Sequence, residues 1–260
     1  MNEQRSPATS RPVHYALPRL SQGNGSARNM VEEVLPFTVS IVKNDAELAK
    51  AVRIRHSAYA RHVPDFAETL KYPEAADSEP GVVVLLAESK LDGSPLGTCR
   101  IQTNQFKPLC LEQSIDLPDW LRPLRLAEAT RLGVTDGRFG RLITTVICKA
   151  YYLYCKQIGA EWMIITGRSP VDRQYERILF EDVFPDRGYI PMPHVGNLPH
   201  RVMSSCVDTA EARWSGARHP LFDFVFRTHH PDIIIDAEHL GFFAPTHNAS
   251  RVESRETFSM

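Results

Sequence analysis

Two neighbouring apolar segments carry the charged side chains that could do chemistry in this chain. Arg100 lies in the first, and Glu128 and Arg131 lie in the second, residues 126–134. Because an unpaired buried charge is very costly, we expect the carboxylate and the guanidinium groups to pair. The glycine-bearing turn at residues 135–141 then opens a long helical pattern, and the free N–H groups of a helix start suit a phosphate or a thioester carbonyl. Together these features predict an acyl-transfer site.

Glu128 is the candidate general base for an attacking amine, acting directly or through water. In a regular strand Glu128 and Arg131 point to opposite faces, so a β-bulge between them is needed to bring both toward one cleft. The bulge would also release a backbone N–H that polarises a thioester carbonyl. The alternative is a structural ion pair at the end of the sheet, and the residues alone leave both interpretations open.

Other charged residues near this strand have functional and structural interpretations. Arg100 could orient Glu128 or bind a substrate carboxylate with two hydrogen bonds, and an exposed strand arginine is the alternative. Glu74 and Asp77 lie in an acidic loop, residues 63–80. They could bind a substrate ammonium, or they could belong to a solvated loop.

The turn before the long helix is a candidate phosphate site. Gly137, Arg138, Gly140 and Arg141 could hold a phosphopantetheine phosphate on helix N–H groups and guanidinium groups. A simple glycine-assisted turn from strand to helix is a compatible alternative. The sequence has no H-E-x-x-H motif and no Cys/His ligand spacing, so we predict no metal site.

The elements expected to position these residues follow the order β-α-β-β-β-α-β-α-β. This order predicts one α/β (α+β) domain, a mixed sheet flanked by helices. We expect a flexible arm at residues 1–34, the domain at residues 35–228 and a tail at residues 229–260. The predicted strands are 37–42, 82–87, 96–103, 126–134, 161–166 and 200–207, and the predicted helices are 44–62, 138–157 and 170–180.

Composition excludes several classes of function. The 260 residues have a formal net charge of -1 and 43% hydrophobic side chains, which gives no general electrostatic basis for binding nucleic acid. Five cysteines without a C-x-x-C motif favour a reducing compartment. No apolar run reaches the ~18–20 residues of a membrane span, and the N-terminus lacks the apolar region of a secretory signal. We expect a cytoplasmic protein with no transmembrane segment.

Four short motifs occur in a characteristic order over residues 38–207. They are Arg55-x-x-x-Tyr59, Glu74-x-x-Asp77, Gly97-Thr98-x-Arg100 and Glu128-x-x-Arg131-Leu132. In this series the chain resembles the N-acyl amino acid synthases, which are GNAT-type relatives of the acyl-homoserine-lactone synthases. The resemblance implies transfer of an acyl chain from acyl carrier protein to the α-amine of an amino acid.

The resemblance also implies roles for individual residues. Glu128 would be the catalytic carboxylate, supported by Arg100 and Arg131. Glu74 and Asp77 would shape the acceptor side. The remaining motif residues, Arg55 and Tyr59, would contribute to substrate binding.

Some positions depart from the family pattern. Glu74 stands where an aspartate is expected, and Thr130 stands where serine is more usual. Leu142 occupies a position where the coenzyme A loop R/Q-x-x-G-x-G/A needs a small residue, which favours a carrier-bound phosphopantetheine donor over acyl-CoA. No cofactor is expected to be bound tightly. Residues 186–197, with prolines at 191 and 193, have no assigned role.

Three other functions remain open at this point. They are a small-molecule N-acetyltransferase that uses acetyl-CoA, an acyl-homoserine-lactone synthase that uses S-adenosylmethionine, and an acyl-binding module without catalytic activity.

Overall fold

A computed structural model describes residues 30–137 and 139–236 of the chain. Arg138, one of the predicted phosphate-binding residues, lies outside the described residues. The strands are β1 Val31–Glu32, β2 Phe37–Ile41, β3 Val82–Ser89, β4 Pro95–Thr103, β5 Leu126–Val134, β6 Trp162–Gly167, β7 Glu181–Asp182, β8 Ile190–Met192, β9 Leu198–Cys206, β10 Thr228–His229 and β11 Ile233–Ile234. The helices are α1 Asp45–Ala60, α2 Pro64–Ala67, α3 Gly140–Ile158, α4 Asp172–Arg177, α5 Ala210–Gly216 and α6 Phe222–Phe226.

The described residues form one large mixed sheet with the strand order β11-β2-β3-β4-β5-β6-β9-β7. The β5–β6 and β2–β11 pairs are parallel, and the other neighbours in this order are antiparallel. The mixed sheet and the six long strands predicted from the sequence are confirmed.

Local signals explain where the main helices begin and end. The Asn44 side chain accepts a hydrogen bond from the Glu47 amide at 2.9 Å and caps α1. Gly159 ends α3 in the left-handed conformation, with φ of 72°. The helix predicted at residues 170–180 is shorter, because the chain leaves the helix after Arg177 and Leu179 has a positive φ of 63°.

The two faces of the sheet carry different layers. Helix α3 packs on one face, where its apolar side chains meet those of β4, β5 and β6. Helix α1 packs on the other face and approaches β5 closely at Gly133. A Cβ at Gly133 would lie 3.0 Å from the Ala58 Cβ and 3.2 Å from the Arg55 Cα. This contact brings Arg55 against the strand that carries Glu128 and Arg131.

Short strands near both predicted domain borders belong to the folded part. β1 pairs with β10, and β11 extends the large sheet beside β2. The division into arm, domain and tail stays a prediction, since residues 1–29 and 237–260 lie outside the described residues. None of the described helices combines the length and the apolar character needed to cross a bilayer.

Candidate active site

A cleft opens where β5 and β6 separate. The two strands pair from Leu126 and Trp162 as far as Ala129 and Ile165, but β5 continues to Val134 and β6 to Gly167. The cleft has a volume of about 250 Å³. Residues from both faces of the sheet line it, so it joins the α1 side to the α3 side.

On the α1 face, two carboxylates are held by arginines. The Arg55 guanidinium donates to both Asp77 oxygens at 2.9 and 2.8 Å, and both side chains are fully buried. Arg131 donates to both Glu74 oxygens at 2.7 Å. The Asp77 carboxylate also accepts from the Glu74 amide at 2.9 Å, which fixes the short turn that presents both acids.

Arg100 connects these two pairs. Its Nη1 lies 3.1 Å from Glu74 and 3.4 Å from Asp77, and its Nε donates to the Thr130 hydroxyl at 3.2 Å. We call Arg55, Glu74, Asp77, Arg100 and Arg131 the charged network. The guanidinium groups hold the pKa values of both carboxyls below their ordinary values, against the opposing effect of burial.

Two structural interpretations from the sequence are therefore wrong. Glu74 and Asp77 do not form a solvated acidic loop, because arginines neutralise both and the Asp77 side chain has no exposed surface. Arg100 is not an exposed strand arginine, since it is only 2% exposed. Its side chain donates hydrogen bonds to Glu74, Asp77 and Thr130, so it does not orient Glu128 by direct contact.

Glu128 lies on the same face as Arg100 but outside the charged network. Its Oε2 accepts a hydrogen bond from the Leu111 amide at 3.2 Å, and its buried Oε1 has no partner among the described residues. The expected pairing of Glu128 with a strand arginine is wrong, because Arg131 pairs with Glu74 instead. Burial raises the pKa of Glu128 to about 7, although the Leu111 amide and the Arg100 charge oppose this shift.

A bulge in β5 explains how Arg131 reaches the face that carries Glu128. Thr130 pairs with Arg100 and Gly133 pairs with Thr98, so two residues of β5 stand opposite Cys99. Arg131, the first of them, has a φ of 55°, a strained conformation for a residue with a long side chain. The bulge expected between Glu128 and Arg131 thus lies at Arg131 and Leu132, since β5 pairs regularly from Glu128 to Thr130. Glu128 itself does not line the cleft, although the next residues of β5, Ala129 and Thr130, do.

Tyr59 lies in the wall of the cleft, at the end of α1. Its ring centroid is 5.8 Å from that of Phe66, and the Arg131 guanidinium lies 5.3 Å from the centre of the same Phe66 ring. Burial raises the pKa of the Tyr59 hydroxyl. Tyr59 therefore borders the cleft next to the charged network, as its predicted role in substrate binding requires.

The predicted phosphate-binding turn lies at the start of α3. Gly137 has a φ of 95°, and a Cβ at Gly140 would lie 2.9 Å from the Thr135 carbonyl oxygen, so both glycines are needed for the turn. Arg141 is exposed. The first-turn amides of a helix have no acceptor within the helix, and Val134, shortly before this turn, lines the cleft.

A second cavity of about 420 Å³ lies on the α3 face. Its wall is mostly apolar and comes from the sheet, from α3 and from the three short helices that follow. Five residues border both this cavity and the cleft: Ala129, Leu132, Thr144, Gln174 and Tyr175. The residues of this wall could not be identified from the sequence, because they are ordinary core residues from distant segments.

Two further features of the site escaped the sequence analysis. The Leu111 amide that binds Glu128 belongs to an irregular connection without a motif. His194, in the segment without an assigned role, lies beside Arg131. Among the described residues, no group of three or more His, Cys, Asp or Glu side chains is arranged to hold a metal ion.

No protein-family model matches the sequence, and no curated protein matches it. The structure is similar to FeeM, an N-acyl amino acid synthase from uncultured soil microbes. The two share 15% identity over 72% of this chain and 96% of that chain, with a TM-score of 0.56. The coenzyme A-dependent acyl-homoserine lactone synthase BjaI is also similar, with 16% identity over 75% of this chain and 93% of that chain and a TM-score of 0.49. NAA60 from Arabidopsis thaliana has 15% identity over 66% of this chain and 99% of that chain, with a TM-score of 0.45. The predicted GNAT-like fold is confirmed, and in its fold the chain resembles an N-acyl amino acid synthase.

Proposed function

We propose that this protein is an N-acyltransferase that moves a long-chain acyl group from acyl carrier protein to the α-amine of an amino acid. One observation carries the proposal. The apolar cavity on the α3 face shares five lining residues with the cleft between β5 and β6, and Arg131 of the charged network lines the same cleft. This arrangement suits a reaction that joins an apolar chain to a charged molecule.

The donor side is suited to a long chain. A volume of about 420 Å³ lies within the range of ligand pockets, which is roughly 300–1,000 Å³. Each methylene buried there contributes roughly 0.8 kcal/mol, so a long chain binds far more tightly than an acetyl group. The residues shared by the cavity and the cleft give the thioester a route from one to the other.

The phosphopantetheine arm would enter at the start of α3. Gly137, Gly140 and Arg141 would hold its phosphate, together with Arg138, which lies outside the described residues. Leu142 follows directly, in place of the small residue that a coenzyme A loop requires. This supports a carrier-bound donor rather than acyl-CoA.

The acceptor side is suited to an amino acid. The charged network contains three guanidinium groups and two carboxylates, which leaves one positive charge for a substrate carboxylate to balance. Glu128, with its pKa near 7, is suited to take a proton from the substrate ammonium, directly or through water.

The reaction then proceeds without a covalent enzyme intermediate. The free amine attacks the thioester carbonyl carbon, and backbone N–H groups at the β5 bulge stabilise the oxyanion. The C–N bond forms, the C–S bond breaks, and the second nitrogen proton passes to the departing thiolate. We place this reaction in the cytoplasm, where the free cysteines stay reduced.

Mass spectrometry of lipid extracts tests the proposal. Cells that overproduce the wild-type protein should contain an acylated amino acid that is absent from cells producing Glu128→Gln. Acetylation of amines from acetyl-CoA, formation of a lactone from S-adenosylmethionine, or fatty-acid binding without any product would each contradict it.

Substitution inside the cavity should change the preferred chain length. Ala210 is buried at the start of α5 and lines the cavity, so Ala210→Phe should fill part of the space. We expect the ratio of kcat/KM for long over short acyl donors to fall about 10-fold, which corresponds to the burial of roughly two methylenes. Ala212→Phe, at an exposed position of the same helix, is the control. The same ratio in both variants and the wild type would place the acyl chain elsewhere.

A further inference from the structure

The segment at residues 186–197 ends in a tight loop beside Arg131 of the charged network. β8 pairs with β9, and the Asn197 amide donates to the Met192 carbonyl at 2.9 Å to close a tight loop. Gly196 and Asn197 both have positive φ values, 70° and 58°, which turn the chain sharply after His194. The loop therefore holds His194 in a defined place, and the neighbouring Val195 lines the cleft.

His194 contacts Arg131 through its backbone carbonyl, whereas its ring makes no hydrogen bond to the described residues. Its carbonyl accepts a hydrogen bond from Arg131 Nη2 at 3.1 Å. Both ring nitrogens are buried, and neither has a hydrogen-bond partner among the described residues. Buried polar groups without partners are rare and costly, so a ring with two of them needs an explanation.

The charges around the ring keep it neutral. Burial lowers the pKa of His194 to about 4, and the charges of Arg131 on β5, His200 on β9 and Arg100 on β4 act in the same direction, against Glu74. A neutral imidazole has one nitrogen that donates and one that accepts a hydrogen bond. At neutral pH the His194 ring can thus donate a hydrogen bond to the carboxylate of an amino acid and accept one from its ammonium group.

Two more buried polar atoms have no hydrogen-bond partner among the described residues. They are Arg131 Nη1, which is a donor, and Glu128 Oε1, which is an acceptor when ionised. The Arg131 charge acts on both Glu128 and His194. Donors and acceptors left free around one arginine match a ligand that carries both a carboxylate and an ammonium group.

We propose that His194 binds the acceptor amino acid, with its imidazole and Arg131 Nη1 facing the substrate carboxylate and amine beside Glu128. This inference rests on the proposed function and adds a residue that contacts the acceptor. It assigns His194 to binding rather than proton transfer, because the ring stays neutral while Glu128 titrates.

Steady-state kinetics of His194→Leu and His194→Gln test this role. The assay uses a tetradecanoyl thioester of acyl carrier protein with a panel of apolar, acidic, basic and aromatic L-amino acids. We expect His194→Leu to raise the KM for the amino acid about 10-fold, the effect of losing one buried hydrogen bond, while the KM for the donor stays unchanged. Glutamine, which keeps a donor and an acceptor, should restore part of the loss. His229→Leu, at an exposed histidine, is the control.

A binding measurement separates this inference from the proposed function. A bound amino acid should raise the melting temperature of the wild type, and the increase should be lost in His194→Leu. If no product forms but this difference is found, the proposed function fails and the role of His194 stands. If product forms and both KM values of His194→Leu equal those of the wild type, or rise together, the role of His194 is overturned.

Discussion

Replacing Glu128 by glutamine should lower kcat for amine acylation about 100-fold or more. General base catalysis contributes roughly 10²–10⁴-fold, and a neutral amide cannot take the proton of the substrate ammonium. Glutamine has nearly the shape of glutamate and keeps an oxygen for the Leu111 amide, so the fold around residue 128 should persist. Single-turnover assays with saturating donor measure the chemical step directly.

The pH profile gives an independent check on the same residue. The proposed base, Glu128, can accept a proton only when it is ionised, so kcat/KM for the wild type should rise as the pH passes about 7 and then level off. The Glu128→Gln variant should lose this rise, whereas Glu181→Gln, at an exposed glutamate on β7, should keep it. Turnover of Glu128→Gln equal to that of the wild type would remove Glu128 from the mechanism.

The free energy of unfolding of Glu128→Gln should depend on pH differently from that of the wild type. The pKa of Glu128 is raised from 4.5 to about 7 in the folded state, so the folded protein retains this proton between these pH values while the unfolded chain releases it. Wild-type stability therefore falls across this interval relative to the variant. Chemical denaturation at several pH values should show the variant gaining in relative stability from about pH 4.5 to pH 7.

Local patterns made the sheet and the longest helix predictable. β2 is predicted by its alternating apolar side chains, and β5 by nine consecutive, mostly apolar residues. The apolar residues of α3 recur at helical spacing and predict a helix. These signals lie within single segments, so no knowledge of distant contacts is needed. The predicted helix at α4 was too long. It ends before Leu179, which has a positive φ, and no glycine or proline stands at that position to indicate the end of the helix.

The partners within the site could not be predicted in the same way. Arg131 pairs with Glu74, 57 residues away, and the hydrophobic pattern alone does not distinguish this pairing from one with Glu128. The bulge that turns Arg131 toward Glu74 was assumed because the proposed mechanism needs it. The residue types of β5 do not by themselves predict a bulge. No sequence motif indicates His194. Its position beside Arg131, with no hydrogen-bond partner for its ring among the described residues, depends on how β8 and β9 pack there.

Asp77→Ala should lower the free energy of unfolding by about 3–5 kcal/mol, the usual cost of removing one partner from a buried ion pair. Arg55 and Asp77 have no exposed side-chain surface, so the variant would leave three arginines sharing the single carboxylate of Glu74, which lies 3.2 Å from Arg55. It would also remove the acceptor for the Glu74 amide and loosen the turn that presents Glu74 to Arg131. Urea denaturation at pH 7 measures the change, with Asp119→Ala at a highly exposed aspartate as the control.

The pH dependence of this variant has the opposite sign to that of Glu128→Gln. The pKa of Asp77 is lowered in the folded state from 3.8, so its contribution is present above that pH and is lost as the pH falls through the folded-state value. The double variant Arg55→Met with Asp77→Leu should recover much of the stability, because an apolar pair of similar size often replaces a buried ion pair without loss. If Asp77→Ala were as stable as the wild type, the charged network would not support the fold. A stable double variant without acylation activity would show that these charges are needed to hold Glu74, Arg100 and Arg131 in place for the acceptor.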